Sequence, residues 1–314
     1  MTKPIIYLQR PFRAEWIEKI QQLAPEYTIT TDLPTDLSQV EITVGWEKQN
    51  ELALLNAEKL KWVQAISAGV NQLPLTQFAQ NGILLSNGSG IHSESISEHV
   101  IGSLLAYYRG LIPAIIDQTT KKWAPNTIHY DQLAGKKMLI VGTGHIGQKL
   151  AQLSHGLAVQ VYGINTTGHP VEGFNETYAI KNLAKIVPEM NIVVDILPST
   201  EATYHLFNSS IFQAMKSTAV FVNVGRGDTV HTKELITALN ADEFAYALLD
   251  VFETEPLPAT DPLWQTKNVL LTPHISGLTV DFEHKFMNIF LANLKSYLKD
   301  HTLNQNQIDL QRGY

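Results

Sequence analysis

The sequence contains no cysteine in its 314 residues. This absence excludes a disulfide framework, thiolate zinc sites and a cysteine nucleophile. Cations are also scarce, because 23 Lys and Arg stand against 30 Asp and Glu, giving a formal net charge of −7 and a pI near 5.9. An acidic chain without a basic run is a poor candidate for binding a phosphate backbone. We therefore expect a small-molecule partner and no nucleic acid.

Long apolar runs are missing as well. The most apolar stretch, residues 100–116, contains Arg109 and Pro113 and is shorter than a membrane span. The apolar segment at residues 5–8 is too short for the core of a signal peptide. The sequence therefore predicts a cytoplasmic protein that does not enter a membrane.

The chain has the composition of a globular protein, with 44% hydrophobic and 17% charged residues. Its length exceeds what one hydrophobic core usually supports, so we expect two domains. Short apolar segments alternate with helical patterns, which favours an α/β fold with parallel sheets covered by helices. The predicted strands lie at residues 5–8, 41–44, 62–66, 83–85, 137–141, 159–164, 191–197, 218–224, 244–251 and 268–271.

Two longer helical patterns mark the organisation of the chain. Apolar residues from Ile96 to Tyr108 recur at the spacing of one amphipathic helix, which begins near Ser93 and ends near Gly110 and Pro113. We interpret this helix as the passage between the domains. A second pattern near residues 281–297 is long enough to return the chain to the first domain.

A glycine-rich loop follows the predicted strand at residues 137–141. Residues 142–147 read Gly-Thr-Gly-His-Ile-Gly, which matches G-x-G-x-x-G between a strand and a helix. Gly142 permits the tight turn, Gly144 lets the backbone approach a pyrophosphate, and Gly147 lets helix and strand pack closely. The amides at the helix N-terminus would bind the phosphates. The loop therefore predicts a dinucleotide cofactor.

The end of the next strand should select between NAD(H) and NADP(H). An acidic residue there would bind the ribose hydroxyls of NAD and repel a 2′-phosphate. This chain has Asn165 at that place, followed by Thr166 and Thr167, and no arginine to bind a phosphate. The cofactor is therefore NADP(H) or NAD(H), with a slight preference for NADP(H).

Three further polar segments follow in order, each at or just past the end of a predicted strand. They contain Arg226, Glu255 and His274. Open α/β sheets bind their ligands at the carboxyl ends of the strands. Together with the glycine loop, these motifs make the chain resemble the D-isomer-specific 2-hydroxyacid dehydrogenase family over essentially its whole length.

The resemblance implies two Rossmann-like domains with the active site in the cleft between them. The substrate-binding domain would be discontinuous, comprising residues 1–98 and 286–314, and residues 99–285 would form the dinucleotide-binding domain. It also implies a homodimer formed through the helix and arm near residues 96–123, which contain an apolar group around Pro113. The family's catalytic arginine, glutamate and histidine fall on Arg226, Glu255 and His274.

The chemistry of these residue types agrees with the reduction of a small 2-oxo acid to the D-2-hydroxy acid. An arginine can hold two oxygens of the substrate at once, orienting its carbonyl carbon. A histidine can act as general acid for the developing alkoxide and as base in the reverse direction. A glutamate beside it would hold the ring and favour its protonated form. Glu253 is the rival acid, but Glu255 directly precedes Pro256, as in the family motif.

The resemblance also assigns binding residues. Residues 67–71 follow a strand with small side chains that expose backbone amides, and they resemble the family's substrate loop with Asn71 in place of the usual aspartate. The predicted substrate contacts are Ala68, Gly69 and Val70. The predicted cofactor contacts are Gly142, Gly144, His145, Ile146, Gly147, Asn165, Thr166, Thr167, Leu197, Pro198, Thr203, Val224, Gly225, Asp250 and Gly277. For Asp250, a role as a turn or cap residue is the alternative.

Several alternatives stay open at the level of sequence. His92 and His99 have no third ligand at a supporting spacing, so we predict no metal site and interpret them as packing and hinge residues. Glyoxylate, hydroxypyruvate, pyruvate and branched 2-oxo acids are all possible substrates. The alternative function is a corepressor-like protein that senses NAD(P) on the same fold without turnover.

Overall fold

The computed structural model describes residues 3–70 and 72–311. These fall into two units, Met1–Ile91 with Val280–Tyr314, and His92–Thr279. The predicted boundaries, 98/99 and 285/286, each lie a few residues later and inside a helix. The helices are Ser93–Tyr108 and Phe282–Asp300, and a continuous helix packs as one body, so each boundary moves to the helix start.

In the first unit, the described residues form a five-stranded sheet in which the paired strands run parallel. Its strand order is β2-β1-β3-β4-β5, where β1 is Ile5–Leu8, β2 Thr28–Thr30, β3 Val40–Val44, β4 Trp62–Gln64 and β5 Leu84–Ser86. The helices of this unit are α1 (Ala14–Leu23), α2 (Glu51–Leu55), α3 (Leu75–Gln80) and the last helix of the chain, Phe282–Asp300.

Both faces of this sheet are covered. Along β1, Ile6 and Leu8 belong to one apolar cluster and Tyr7 belongs to another, as the two-residue period of a strand requires. The first cluster includes Trp16 of α1 and Phe286 of the last helix. The returning C-terminal helix thus completes the core of the N-terminal unit.

Residues 92–279, all of which are described, contain a seven-stranded sheet whose paired strands also run parallel. Its order is β12-β11-β10-β9-β6-β7-β8, where β6 is Lys137–Val141, β7 Gln160–Asn165, β8 Glu176–Ala179, β9 Ile192–Asp195, β10 Val220–Asn223, β11 Tyr246–Leu249 and β12 Val269–Leu271. The helices are α4 (Ser93–Tyr108), α5 (Leu111–Thr119), α6 (His145–His155), α7 (Leu183–Ile186), α8 (Ser209–Ala214) and α9 (Thr232–Asn240), and Phe282–Asp300 is α10. The predicted α/β class with parallel sheets is confirmed.

Two strands that sequence reasoning missed lie at sheet edges. β2 and β8 are the end strands of their sheets, and each begins with an exposed polar residue, Thr28 and Glu176. An edge strand needs no continuous apolar run, because it is not enclosed by a neighbour on both sides. The apolar signal that identified the central strands is therefore weak in both.

The helical pattern near residue 93 is one helix followed by a second. α4 ends at Tyr108, Gly110 has a positive φ of 67°, and α5 then begins at Leu111. Pro113 lies in the first turn of α5, where a missing N–H costs nothing. Among the described residues no single helix has the length and apolar character of a membrane span, and α4 and α5 reach them only as a pair bent by 70°.

Candidate active site

In the second sheet, β6 lies between β7 and β9. The chain adds β7 and β8 on one side of β6 and then β9 to β12 on the other, so the strand order reverses between β6 and β9. Ligands of open parallel sheets bind at this reversal, outside the carboxyl ends of the strands. The glycine loop follows β6, and the segments with Arg226, Glu255 and His274 follow β10, β11 and β12. Parallel pairing therefore brings segments that are distant in sequence to one edge.

The glycine loop has the geometry that a dinucleotide requires. Gly142 has a φ of 115°, and a Cβ added to Gly147 would lie 2.1 Å from the Gly142 carbonyl oxygen. The close packing of α6 on the loop therefore depends on glycine. At Gly144 an added Cβ would meet no atom within 4 Å, so the backbone is open to a ligand. Exposed His145 and half-buried Ile146 begin α6, whose N-terminal amides fit a pyrophosphate.

The predicted ribose loop is closed by Asn165 itself. Its Oδ1 accepts a hydrogen bond from the Gly168 amide at 2.6 Å, and its Nδ2 donates to the His169 carbonyl at 2.9 Å. The Asn165 side chain is therefore engaged within the loop. Thr166, Thr167 and His169 are exposed, and Thr167 Oγ1 lies 3.0 Å from His169 Nδ1.

Two of the predicted cofactor segments are in direct contact. A Cβ on Gly225 would lie 2.7 Å from the Leu197 carbonyl oxygen, so the turn after β10 packs on the loop after β9. Leu197, Thr203 and Val224 have buried side chains. The Thr203 hydroxyl donates to the Pro198 carbonyl at 2.7 Å and closes the loop after β9. These residues fix the backbone that follows β9 and β10, at the same end of the sheet as the glycine loop.

Arg226 is exposed at the turn after β10. Its backbone carbonyl accepts hydrogen bonds from Asn223 Nδ2 at 3.0 Å and Thr229 Oγ1 at 2.7 Å. Its guanidinium donates to the Gly225 carbonyl at 2.7 Å, and within the described residues no carboxylate lies at ion-pair distance from it. The backbone is thus fixed while the cation is available for an anionic ligand.

Below this turn lies a buried carboxyl group that sequence reasoning missed. Asp195, at the end of β9, is 0% exposed, its Oδ1 accepts from the Leu197 amide, and its Oδ2 lies 2.5 Å from Thr229 Oγ1. Burial raises the pKa of Asp195 to about 7, although the hydrogen bonds with Thr229 and Leu197 act in the opposite direction. The sequence signal that could have identified Asp195 is a charged residue at the end of an apolar strand.

If Asp195 is neutral, each hydrogen bond that joins Asp195, Thr229 and the Arg226 carbonyl has one donor and one acceptor. The Thr229 hydroxyl has one proton and two close acceptors, Asp195 Oδ2 and the Arg226 carbonyl. If Asp195 carries a proton, it donates to Thr229, and Thr229 donates to the Arg226 carbonyl. The buried acid then supports the Arg226 turn without an unpaired charge in the core.

Asp250 holds the turn that carries His274. Its Oδ1 accepts from Thr272 Oγ1 at 2.5 Å and from the Ile275 amide at 2.9 Å, and its Oδ2 accepts from the Ser276 amide at 2.9 Å. Burial raises the pKa of Asp250, but the hydrogen bonds from Ser276 and Thr272 hold it below its ordinary value. The geometry supports the turn-anchoring alternative for this residue, and a contact with the nicotinamide stays a prediction.

His92 and His99, which we interpreted as packing and hinge residues and not as metal ligands, also help to hold the His274 turn. His99 Nε2 lies 3.2 Å from Thr272 Oγ1 and donates to it, because the Thr272 proton goes to Asp250. His92 Nδ1 donates to the carbonyl of Gly277 at 2.7 Å. Among residues 3–70 and 72–311, no group of three or more His, Asp and Glu is placed to hold a metal ion.

Glu255 and His274 form a close pair. Glu255 Oε2 lies 2.6 Å from His274 Nδ1, and Glu255 Oε1 accepts from the Phe252 amide at 2.9 Å. His274 has a φ of 53°, a conformation that is uncommon outside glycine, and its amide donates to the Asp250 carbonyl at 2.9 Å. The His274 side chain is 51% exposed, so Nε2 is free to face a ligand while Nδ1 is held.

Glu253, the rival acid, points to a different histidine. Its Oε1 lies 2.7 Å from His205 Nε2, and its Oε2 accepts from the Thr232 amide at 3.0 Å. The two glutamates therefore belong to two separate pairs, and Glu255 is the one beside His274. Spacing alone does not distinguish residues two apart in the chain, and the sequence analysis chose Glu255 because it directly precedes Pro256, as in the family motif.

The predicted substrate loop lies in the first unit, after β4. Ser67 Oγ donates to the Gly69 carbonyl at 2.7 Å, and Asn87 Nδ2 donates to the Ala68 carbonyl at 2.5 Å. Ala68 is exposed and Val70 is buried. These contacts hold the backbone of the loop, while Asn71 lies outside the described residues.

Replacing Asp195 with asparagine tests the neutral state of the buried acid. Because the folded pKa of about 7 exceeds the unfolded value of 3.8, the stability contributed by the protonated group is complete below pH 3.8. It falls as the pH rises towards 7. We expect Asp195→Asn to gain stability over the wild type progressively between pH 4 and 7 in urea unfolding. A difference in unfolding free energy that is constant with pH would contradict the assignment.

Comparison with known proteins identifies the family. Residues 101–276 match the model of the D-isomer specific 2-hydroxyacid dehydrogenase NAD binding domain. Glyoxylate/hydroxypyruvate reductase B of Escherichia fergusonii is 30% identical over 303 residues, covering 94% of this chain and 92% of that protein.

Solved structures agree. Phosphoglycerate dehydrogenase from Lactobacillus plantarum is 38% identical with a TM-score of 0.60, covering 97% of this chain and 100% of that one. A D-isomer specific 2-hydroxyacid dehydrogenase from Xanthobacter autotrophicus Py2, solved with NADPH and MES, is 25% identical with a TM-score of 0.83 and full coverage of both chains. This chain belongs to the D-isomer specific 2-hydroxyacid dehydrogenase family and is a nicotinamide-dependent oxidoreductase that converts a small 2-oxo acid to its D-2-hydroxy acid.

Proposed function

We propose that the chain is an NADPH-preferring reductase of short 2-oxo acids such as glyoxylate and hydroxypyruvate. The observation that carries the proposal is the 2.6 Å contact between Glu255 and His274 on the strand edge that also carries the glycine loop and Arg226. The substrate class follows the name of the Escherichia fergusonii relative. The corepressor-like alternative has no support from these relatives.

In the proposed reaction each side chain has one task. The Arg226 guanidinium binds the substrate carboxylate and carbonyl oxygen in a fixed orientation. A dihydronicotinamide held at the glycine loop would supply the hydride that the carbonyl carbon requires. His274 Nε2 donates a proton to the oxygen as negative charge develops there. Glu255 holds Nδ1 and places a carboxylate beside the ring. Ala68, Gly69 and Val70 are further proposed substrate contacts.

The first experiment follows nicotinamide absorbance with NADPH and a set of 2-oxo acids. The wild type is expected to oxidise NADPH, and His274→Ala to lose about 10²–10⁴-fold in kcat because the proton donor is gone. His155→Ala removes an exposed histidine of the same unit and should behave as the wild type.

Glu255→Gln should keep part of this activity. As the pH is raised, its activity should fall at a lower pH than that of the wild type, because the negative charge beside the His274 ring is gone. An unchanged pH profile would remove Glu255 from the mechanism. Cofactor binding without turnover of any acid, including 3-phosphoglycerate in the oxidative direction, would favour the sensor.

The preference for NADP(H) rests on the loop after β7. No carboxylate stands at position 165, and Thr166 and Thr167 are exposed in the loop proposed to receive the 2′-phosphate. The Xanthobacter autotrophicus protein was solved with NADPH, which supports the same choice. His169, whose Nδ1 lies 3.0 Å from Thr167 Oγ1, adds a third polar side chain to this loop.

Asn165→Asp should reverse the preference, because a carboxylate repels the 2′-phosphate and binds the ribose hydroxyls of NADH. We expect the ratio of kcat/KM for NADPH to that for NADH to fall by about 10-fold or more, equivalent to about 1.4 kcal/mol. Asn182→Asp makes the same charge change outside the loop and should leave the ratio unaltered. A wild type that already prefers NADH would overturn the proposal.

We also propose that two copies associate through α5 and the segment after it. Leu111, Ile115, Ile116 and Trp123 are 49%, 61%, 60% and 94% exposed, a concentration of apolar surface typical of an interface. Light scattering should give about twice the 35.0 kDa chain mass, and Ile115→Glu should shift it towards one chain. A wild-type mass of one chain would refute the dimer.

The use of a nicotinamide cofactor is consistent with the predicted cytoplasmic location.

A further inference from the structure

A second histidine–glutamate pair lies beside the proposed catalytic pair. His205 Nε2 and Glu253 Oε1 are 2.7 Å apart, and their side chains are 24% and 33% exposed. The His205 ring stacks on Tyr204 with a centroid separation of 3.9 Å and lies 4.6 Å from the ring of His231. These contacts fix the imidazole in one orientation.

The Glu253 carboxylate is held from two sides. His205 contacts one oxygen, and the amide of Thr232, at the N-terminus of α9, donates to the other at 3.0 Å. Burial raises the pKa of Glu253, but the hydrogen bonds from Thr232 and His205 bring it below its ordinary value. A carboxylate at a helix N-terminus is also favoured by the helix dipole. Glu253 is thus a fixed anchor within the loop of residues 252–255.

His205 reaches the Arg226 turn through its backbone. Its amide donates to the Asp228 carbonyl at 2.9 Å, two residues after Arg226. In addition, a Cβ on Gly227 would lie 1.9 Å from the carbonyl carbon of Phe252, so the two segments touch backbone to backbone. The Arg226 turn and the loop of residues 252–255 are therefore joined twice, once by direct packing and once through His205 and Glu253.

The anchor lies next to the group it would control. The Phe252 amide donates to Glu255 Oε1, and Glu255 Oε2 contacts His274. Phe252 and Glu253 are consecutive residues, so the anchor and the amide that holds Glu255 belong to one short stretch of backbone. Misplacement by about 1 Å can cost 10²-fold in rate even when the mutated group is away from the chemistry.

We propose that His205 is a positioning residue for the reaction: through Glu253 it fixes the loop of residues 252–255 and so holds the Glu255 carboxylate against His274. The inference rests on the proposed roles of Glu255 and His274. It adds a residue that touches neither of them and that joins their support to the Arg226 turn.

The test compares His205→Ala, His205→Gln and the wild type in NADPH oxidation with glyoxylate across pH. His205→Ala should lower kcat about 10-fold and move the loss of activity to lower pH, because Glu255 no longer favours the imidazolium. His205→Gln keeps a donor for Glu253 and should recover most of both effects. The KM for NADPH should change less than 2-fold.

A matched control separates positioning from loss of stability. His155→Ala removes an imidazole of the same unit whose Nε2 lies 2.8 Å from the Gly173 carbonyl, outside the group formed by His205, His231 and Glu253. It should leave kcat and the pH profile as in the wild type. Thermal unfolding of each variant identifies any that is not folded, in which case His205→Gln and Glu253→Gln supply the comparison.

Combining His205→Ala with Glu255→Gln tests the route. If His205 acts through Glu255, the double variant should show the pH profile of Glu255→Gln alone, a non-additive result. A pH profile of His205→Ala that coincides with that of the wild type, or fully additive effects in the double variant, would overturn the inference. Activity retained by His274→Ala would instead overturn the proposed function, so the two failures are distinguishable.

Discussion

Parallel pairing of the seven strands in residues 92–279 is the constraint on which the site depends. Because parallel strands all end at the same edge, segments separated by more than a hundred residues meet there without any long-range motif. The central strands β6, β9 and β10 are almost entirely buried, and the loops that follow them begin from this packed core. The glycine loop, the Arg226 turn and the His274 turn are three uses of this one edge.

The loops that follow the strands are held by buried polar groups. Asp250 anchors the His274 turn with three hydrogen bonds, and Asp195 with Thr229 supports the carbonyl of Arg226. Buried polar groups are costly unless they are fully paired, so each such network specifies one local conformation. The exposed functional groups can remain available because their backbones are held from below.

Much of this arrangement could be predicted from the sequence. The central strands carry continuous apolar runs, and the glycine loop and the three polar segments occur in strand-end context. The edge strands β2 and β8 escaped because they lack such runs. The internal engagement of Asn165 and the pairing of Glu253 with His205 could not be foreseen, since both depend on the conformation of short loops. The spacing of motifs along the sequence predicts where each strand ends, but it does not determine the direction in which each side chain points.

Arg226, Glu255 and His274 all belong to one unit, as does the glycine loop, whereas residues 67–70 belong to the other. The groups proposed to react therefore share one core and one set of internal supports. Their mutual geometry is set within residues 92–279, and a substitution among residues 3–70 leaves the hydrogen bonds of Asp195 and Asp250 in place.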